Sequence, residues 1–333
     1  MNWNEGYSAQ FYMTEVDPAT WRDRRVIDIT AGKISRSDEA LRASADIDTV
    51  DYGEELEMWV RIWLDARQAG DGEHVALFTG LATSPSDEIT GALTNNKLEA
   101  YSVLKPCEDV LLQRGWYAAA EISCESVLRN LLSNTPAPVN IEGTVPPLKR
   151  AIIAEDNETA LTMADKILKA IGWIMQLQGD GTITIHAKND NIAAVFDPLE
   201  NDCIEPNITV EHDWFECPNV LRAISDDLVA IARDDGSDSP YSIRNRGREV
   251  WAQEDGVDLS EEESISDYAI RRLKELQTVA RKIKYPRRFT PEVNVGDNIR
   301  LNYPEQDLVG TYTVTSQSLE VSHGVQVSEE VQR

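Results

Sequence analysis

The 333-residue chain reads as an α+β fold rich in strands, and three observations carry that expectation. Leu56, Met58, Val60, Ile62 and Leu64 fall on alternate positions, with Glu57, Trp59, Arg61 and Trp63 between them, the period of two that belongs to a strand. Residues 157–171 and 264–283 instead space their apolar side chains as helices do. Short strand candidates divided by turn-formers fill both ends of the chain, so two β-rich regions bracket an α+β middle.

In chain order, strands are predicted over 25–31, 41–47, 56–64, 74–83 and 97–104. Turns are expected at Gly32, Gly53, Ala69-Gly70-Asp71-Gly72 and Ser84-Pro85-Ser86-Asp87. Strands this short and close suggest a small barrel or sandwich. After Pro106 the pattern changes. Residues 121–133 fit a short amphipathic helix stopped by Asn134-Thr135-Pro136, and the proline-rich 135–147 reads as an extended connector. The helix at 157–171 has Asn157 as its expected cap, an apolar face of Leu161, Ala164, Ile167, Leu168 and Ile171, and Gly172 where a left-handed end belongs. Residues 173–177 and 182–186 then flank Gln178-Gly179-Asp180-Gly181 as a hairpin. Periodicity leaves 219–232 open between strand and helix, and 233–241 is a loop by composition. The helix over 264–283 presents Leu273, Leu276, Ala280 and Ile283 on its apolar side; strands over 298–302, 310–316 and 318–327 close the chain.

Composition narrows the function. Apolar residues make up 41% and charged residues 27%, which suits a folded chain. Asp and Glu outnumber Lys and Arg by 58 to 32, for a net charge of −26, the wrong sign for gripping phosphates. Solubility or a salt-adapted source would also account for the charge. No apolar run reaches the ~18 residues that cross a bilayer. Met1–Gln10 has no basic start followed by an apolar stretch, so assembly in a cytoplasm is expected. Cys107, Cys124, Cys203 and Cys217 are far apart and read as reduced, buried thiols.

The sequence nominates no catalytic, cofactor-binding or metal site. It has no phosphate-cradling GxxxxGK[ST] or GxGxxG, no GxSxG and no HExxH. His74, His186, His212 and His323 are scattered. Glu211-His212-Asp213 near Cys217 lacks the second donor pair that zinc requires. Asp234-Asp235-Gly236-Ser237-Asp238 lacks the alternating ligands and distal Glu of a calcium loop. A carboxylate pair assembled only in space would leave no mark in sequence. Trp59 and Trp63 share the face opposite the aliphatic stripe of their strand. Either that strand is buried on both sides, or the tryptophans form a subunit interface; Glu57 and Arg61 on the same face favour the interface.

The order of several segments resembles one family. Asp28-Ile29-Thr30-Ala31-Gly32-Lys33-Ile34, then Phe78-Thr79-Gly80-Leu81 with Ser84-Pro85-Ser86, then residues 98–104, resemble the opening barrel of tail-hub proteins. The 157–171 helix with Gly172-Trp173 and its hairpin resembles their α+β insertion. Residues 239–248 (SPYSIRNRGR), followed by a helix containing Tyr268-Ala269, are similar to the segment inside their second half. Residues 289–297 (FTPEVNVGD) with Gly310-Thr311-Tyr312-Thr313-Val314 look like their closing barrel. The family is the baseplate hub of tailed phages, including the late-control-D type, related to the core of type VI secretion spike proteins.

The resemblance implies a first barrel over 1–110 and an α+β insertion over 111–205. A second barrel would take 206–243 and 286–328, with a loop and helix over 244–285 inserted in it. Three such subunits would place six barrels in a pseudo-sixfold ring within the virion tail tip. The implied partners are two further copies, a tail tube or distal tail protein, the tape-measure protein, and a spike or fibre protein. DNA would pass through the ring without specific binding, and part of the −26 would face that lumen. No cofactor, metal or catalytic residue carries over. Some relatives carry a fused lysozyme or peptidase domain; here little chain follows the closing barrel. A tail-borne cell-wall hydrolase with a spatially assembled site, or a non-hub tail adaptor, are the competing expectations.

Overall fold

The computed structural model describes residues 1–39, 41–49, 57–90, 93–200, 203–212, 214–215, 217–225, 228–257, 264–278, 281–322 and 324–332. Its contacts divide the chain into two compact units, Met1–Pro206 with Tyr285–Glu329, and Asn207–Lys284 with Glu330–Arg333. The structure is β-rich with few helices, as the alternation predicts.

The first unit opens with β1 (Ser8–Val16), β2 (Asp23–Ile27), β3 (Ile29–Ser37), β4 (Ala43–Thr49), β5 (Met58–Gln68), β6 (Asp71–Thr90) and β7 (Leu93–Ser102). They pair in the order β3-β4-β7-β6-β5-β1-β2. The aliphatic stripe Met58, Val60, Ile62, Leu64 and Ala66 is buried, and β5 is paired on both sides, with β6 and with β1. Leu56 and Gly53 lie outside the described residues. Gly70, at φ 83°, turns the β5–β6 hairpin as expected. The turn expected at Ser84–Asp87 is instead part of β6, where the register against β7 shifts between Thr83 and Ser86. A bulge absorbs Pro85, because a proline there removes a ladder donor without ending the strand.

The α+β part follows with α1 (Lys105–Glu108), β8 (Tyr117–Ala118), α2 (Cys124–Leu131), β9 (Val139–Glu142), β10 (Ile152–Ile153), α3 (Ala160–Ile171), β11 (Trp173–Leu177), β12 (Ile183–Ala187) and β13 (Ile192–Phe196). Thr159, not Asn157, caps α3: its side chain accepts from Thr162 N while Thr162 closes the capping box. Asn157 adopts φ 67° before it. Gly172 ends α3 at φ 68°, as its position predicts. β11 and β12 form the expected hairpin, and β9, inside the predicted connector, runs parallel to β12. The apolar face of α3 packs with α2 and β11 around Leu128, Leu161, Ile167 and Ile185.

The second unit contains β14 (Thr209–His212), β15 (Val220–Ser225), β16 (Leu228–Arg233), α4 (Ile243–Arg246), β17 (Trp251–Glu254), α5 (Ile265–Thr278) and the Arg281–Lys284 stretch of β18 (Arg281–Arg288). Residues 219–232 resolve into a hairpin: β16 is antiparallel to β15, and β17 is parallel to β15 on its other side. Leu221, Ala223, Ala230 and Ala232 pack against Ala269 and Leu273 of α5. The helix expected over 264–283 ends by Thr278, and Ile283 is a buried strand residue. From residue 282 onward Ile283, Tyr285 and Arg287 are the buried alternates of a strand, so the period changes from 3.6 to two. Ala280 lies outside the described residues.

The chain completes the first unit with β19 (Asn298–Tyr303), β20 (Leu308–Val321) and β21 (Val325–Gln332). β20 is one strand through Gly310 and Ser318, where two were expected, and it pairs antiparallel with β3. The last strands thereby join the sheet built by the first hundred residues. β19 pairs with β20, and β13 runs parallel to β19.

Candidate functional site

On the face of β5 away from its aliphatic stripe, the described chain gathers Trp21, Trp59, Arg61 and Trp63. Trp59 tilts against Trp21 with ring centroids 5.6 Å apart. Trp63 stacks on His74 at 3.9 Å, and its indole N–H donates to Thr14 Oγ1 at 3.1 Å. Both tryptophans are partly buried, and Trp59 also packs against the core around Leu161 and Ile185. Arg61, expected beside them as a sign against burial, is itself buried at 6% exposure. It donates to Thr79 Oγ1, to Asp23 and to the Asp180 carbonyl, so its charge is paired and its N–H groups are used. The alternation placed Arg61 correctly; only the fold reveals the partners that let it be buried.

Those bonds clamp the β11–β12 turn to the sheet. Trp21 Nε1 also donates to Asp180 O, and Thr79 Oγ1 donates to Gly179 O at 2.8 Å. A Cβ at Gly179 would lie 1.8 Å from the Ala76 carbonyl oxygen, so only glycine permits this approach. Nearby, a 520 Å³ cleft is bordered by Arg36, Arg42, Asp165, Lys166, Lys169 and Gln176. Arg42 pairs with Asp165, and Lys166 with Glu158 at 2.8 Å. Burial pushes the Asp165 carboxyl up, against the pull of Arg42. Arg36 bonds Asn294, Gln317 and the Leu77 carbonyl.

A second cluster is fully enclosed in the first unit. Glu329 accepts from Tyr285 Oη at 2.7 Å, from Arg287 at 2.7 Å and from Gln317 Nε2 at 2.8 Å. The Arg287 and Glu329 side chains are 1% and 0% exposed. Burial, and next the Glu329 charge, hold the Tyr285 hydroxyl well above its ordinary pKa. Arg36, lowered to about 10 by burial and then by Arg287, bonds the other end of Gln317. The sequence signal was present: Val325, Val327, Glu329 and Val331 are alternates of one strand, with one acid among valines. Such a group has no open space for substrate and serves packing.

The remaining sequence candidates are dispersed. Glu211 pairs with Lys284 at 3.0 Å, and Cys217 is buried and in no disulfide; Asp213 and His323 lie outside the described residues. Asp234 accepts from Gly236 N, Ser239 Oγ and Gln277 Nε2, which folds its own loop. Among the described residues no three His, Cys, Asp or Glu side chains converge as a metal site. All four cysteines are buried and unbridged. Among the described residues no helix is long and apolar enough to cross a membrane.

No family model matches the sequence, and no curated protein matches it. Solved structures do. The 43 kDa tail protein of prophage MuSo2 from Shewanella oneidensis is similar with a TM-score of 0.69 at 12% identity, over 98% of this chain and 98% of that one. A tail protein from Neisseria meningitidis MC58 is similar with a TM-score of 0.69 at 13% identity, over 99% and 97%. A type VI secretion component of E. coli, itself similar to T4 phage tail proteins, gives a TM-score of 0.54 at 8% identity, over 92% of this chain and 73% of that one. The fold is thus one shared by phage tail proteins and type VI secretion components.

Proposed function

We propose that the chain is a non-enzymatic structural subunit of a phage tail tip, the hub that joins the tail tube to the spike or fibre complex. The observation that carries this reading is the end-to-end fold match to a prophage tail protein, spanning 98% of both chains. In this reading the subunit belongs to the late-control-D type and forms a homotrimer. Residues 1–110, and 206–243 with 286–328, supply two barrels per subunit, with 111–205 and 244–285 as insertions. Six barrels then meet a sixfold tube on one side, while the threefold symmetry of the ring meets a spike on the other. The partners are the tube or distal tail protein, the tape-measure protein and the spike or fibre.

The net charge of −26 acquires a use in such a ring. Carboxylates lining a conduit repel phosphates, so DNA passes without sticking. Trp59 and Trp63, partly buried beside the clamped turn, form one contact face of the subunit. Electron microscopy of the purified protein tests the reading: threefold rings with six peripheral densities around an opening are expected. Isolated particles without rings, together with turnover of purified cell wall, would replace it with the hydrolase reading.

A further inference from the structure

In the second unit the small sheet runs β16-β15-β17, and among the described residues each outer strand bonds a neighbour on one side alone. Alternate residues of β16 split sharply. Ala230 and Ala232 pack under α5, while Val229 and Ile231, on the opposite face, are 52% and 51% exposed. Between Leu228 and Ala232 the edge carries no charge, no proline and no register shift against β15. Edge strands are normally blunted by one of those devices, because an open row of N–H and C=O groups invites another strand. β16 lacks them all.

The other edge differs in chemistry. β17 presents Trp251, 50% exposed, and is bracketed by the exposed carboxylates of Glu249 and Asp255. Arg233, at the end of β16, already pairs with Glu249 and lies over the Trp251 ring within the same chain; Arg222 of β15 is the other charged group on this face. One edge is apolar, the other aromatic. Direction fits as well. β16 is antiparallel to β15 and β17 is parallel to it, so β17 runs antiparallel to β16. A second copy in the same orientation therefore brings its β17 beside β16 as an antiparallel neighbour.

We infer that β16 of one copy pairs with β17 of the next, extending the small sheet across the subunit boundary. This rests on the ring-forming reading above and names the strands that close the ring. The contact is heterologous: two different edges meet, as a head-to-tail ring requires. Val229 and Ile231 gain cover from Trp251 of the next copy.

Paired cysteines test it. Ile231 and Gln253 both lie opposite Arg222, on either side of β15, so within one chain they are two strand spacings apart, about 9.6 Å. A disulfide needs Cα atoms within about 7 Å, so the pair cannot close inside a chain. The double variants Ile231→Cys with Gln253→Cys, and Ile231→Cys with Trp251→Cys, sample two registers on that face. Mild oxidation of the full-length protein should give, with at least one of them, a covalent ladder that stops at three chains. Each single variant should give none beyond a dimer. A second arm needs no disulfide: Val229→Lys with Ile231→Lys should shift assembly to roughly tenfold higher protein concentration or more, with circular dichroism unchanged. If wild type assembles while neither cysteine pair ladders and the lysine variant assembles normally, the strand assignment is wrong and the ring reading stands. If wild type stays monomeric, both fall.

Discussion

Glu329 accepts three hydrogen bonds inside the first unit, and its environment makes a sharp forecast. Glu329→Gln leaves the Arg287 charge buried without a counter-ion, which should cost about 3–5 kcal/mol of unfolding free energy in urea titrations. Replacing both partners, Arg287→Met with Glu329→Met, should cost less than the single change, since no buried charge is left unpaired. Tyr285 adds a pH dependence. Its folded pKa lies above its ordinary value, through burial first and Glu329 second, so the folded protein holds a proton that the unfolded chain releases near pH 10. The stability from this group is therefore full below about pH 10 and is lost as pH rises further. Tyr285→Phe should lower stability at neutral pH by about 1.5–3 kcal/mol and flatten the alkaline decline. An alkaline slope identical in the variant would contradict the assignment.

At the scale of elements, two glycines do different work. Gly172 ends α3 at φ 68° with open space around its Cα, so Gly172→Ala should cost about 1 kcal/mol through backbone strain alone. Gly179 is held against the Ala76 carbonyl, so Gly179→Ala must push the β11–β12 turn off the sheet and break the Thr79 bond, at about 3 kcal/mol. Thermal melts of the two variants compare them directly. The same elements show what the sequence made legible. Alternation found β5, and helical spacing with a terminal glycine found α3, because each is a local pattern set by one buried face. Residues 264–283 misled because Ile283 continues a helical spacing by chance, while the strand that holds it draws its burial from distant residues. β1 was not anticipated: its neighbours β2 and β5 supply the pairing, and SAQFYMTEV alternates weakly. The Trp59 and Trp63 face was legible as a face, but its intramolecular partners Trp21, His74 and Thr14 come from other strands. The enclosed Glu329 cluster is non-local for the same reason.

For the whole molecule, the account makes assembly the function, so its predictions concern assembly. Trp59→Ser with Trp63→Ser should leave a folded chain with native circular dichroism that fails to assemble; an unfolded product would make the pair core residues instead. The charge of −26 predicts that association strengthens with added salt, as repulsion between like-charged copies is screened. The most direct test is the mass of the purified full-length protein in solution, measured by sedimentation across a wide concentration range. The account predicts a species of three 37.3 kDa chains, with no stable dimer. A strict monomer or a dimer at the highest concentration would contradict it.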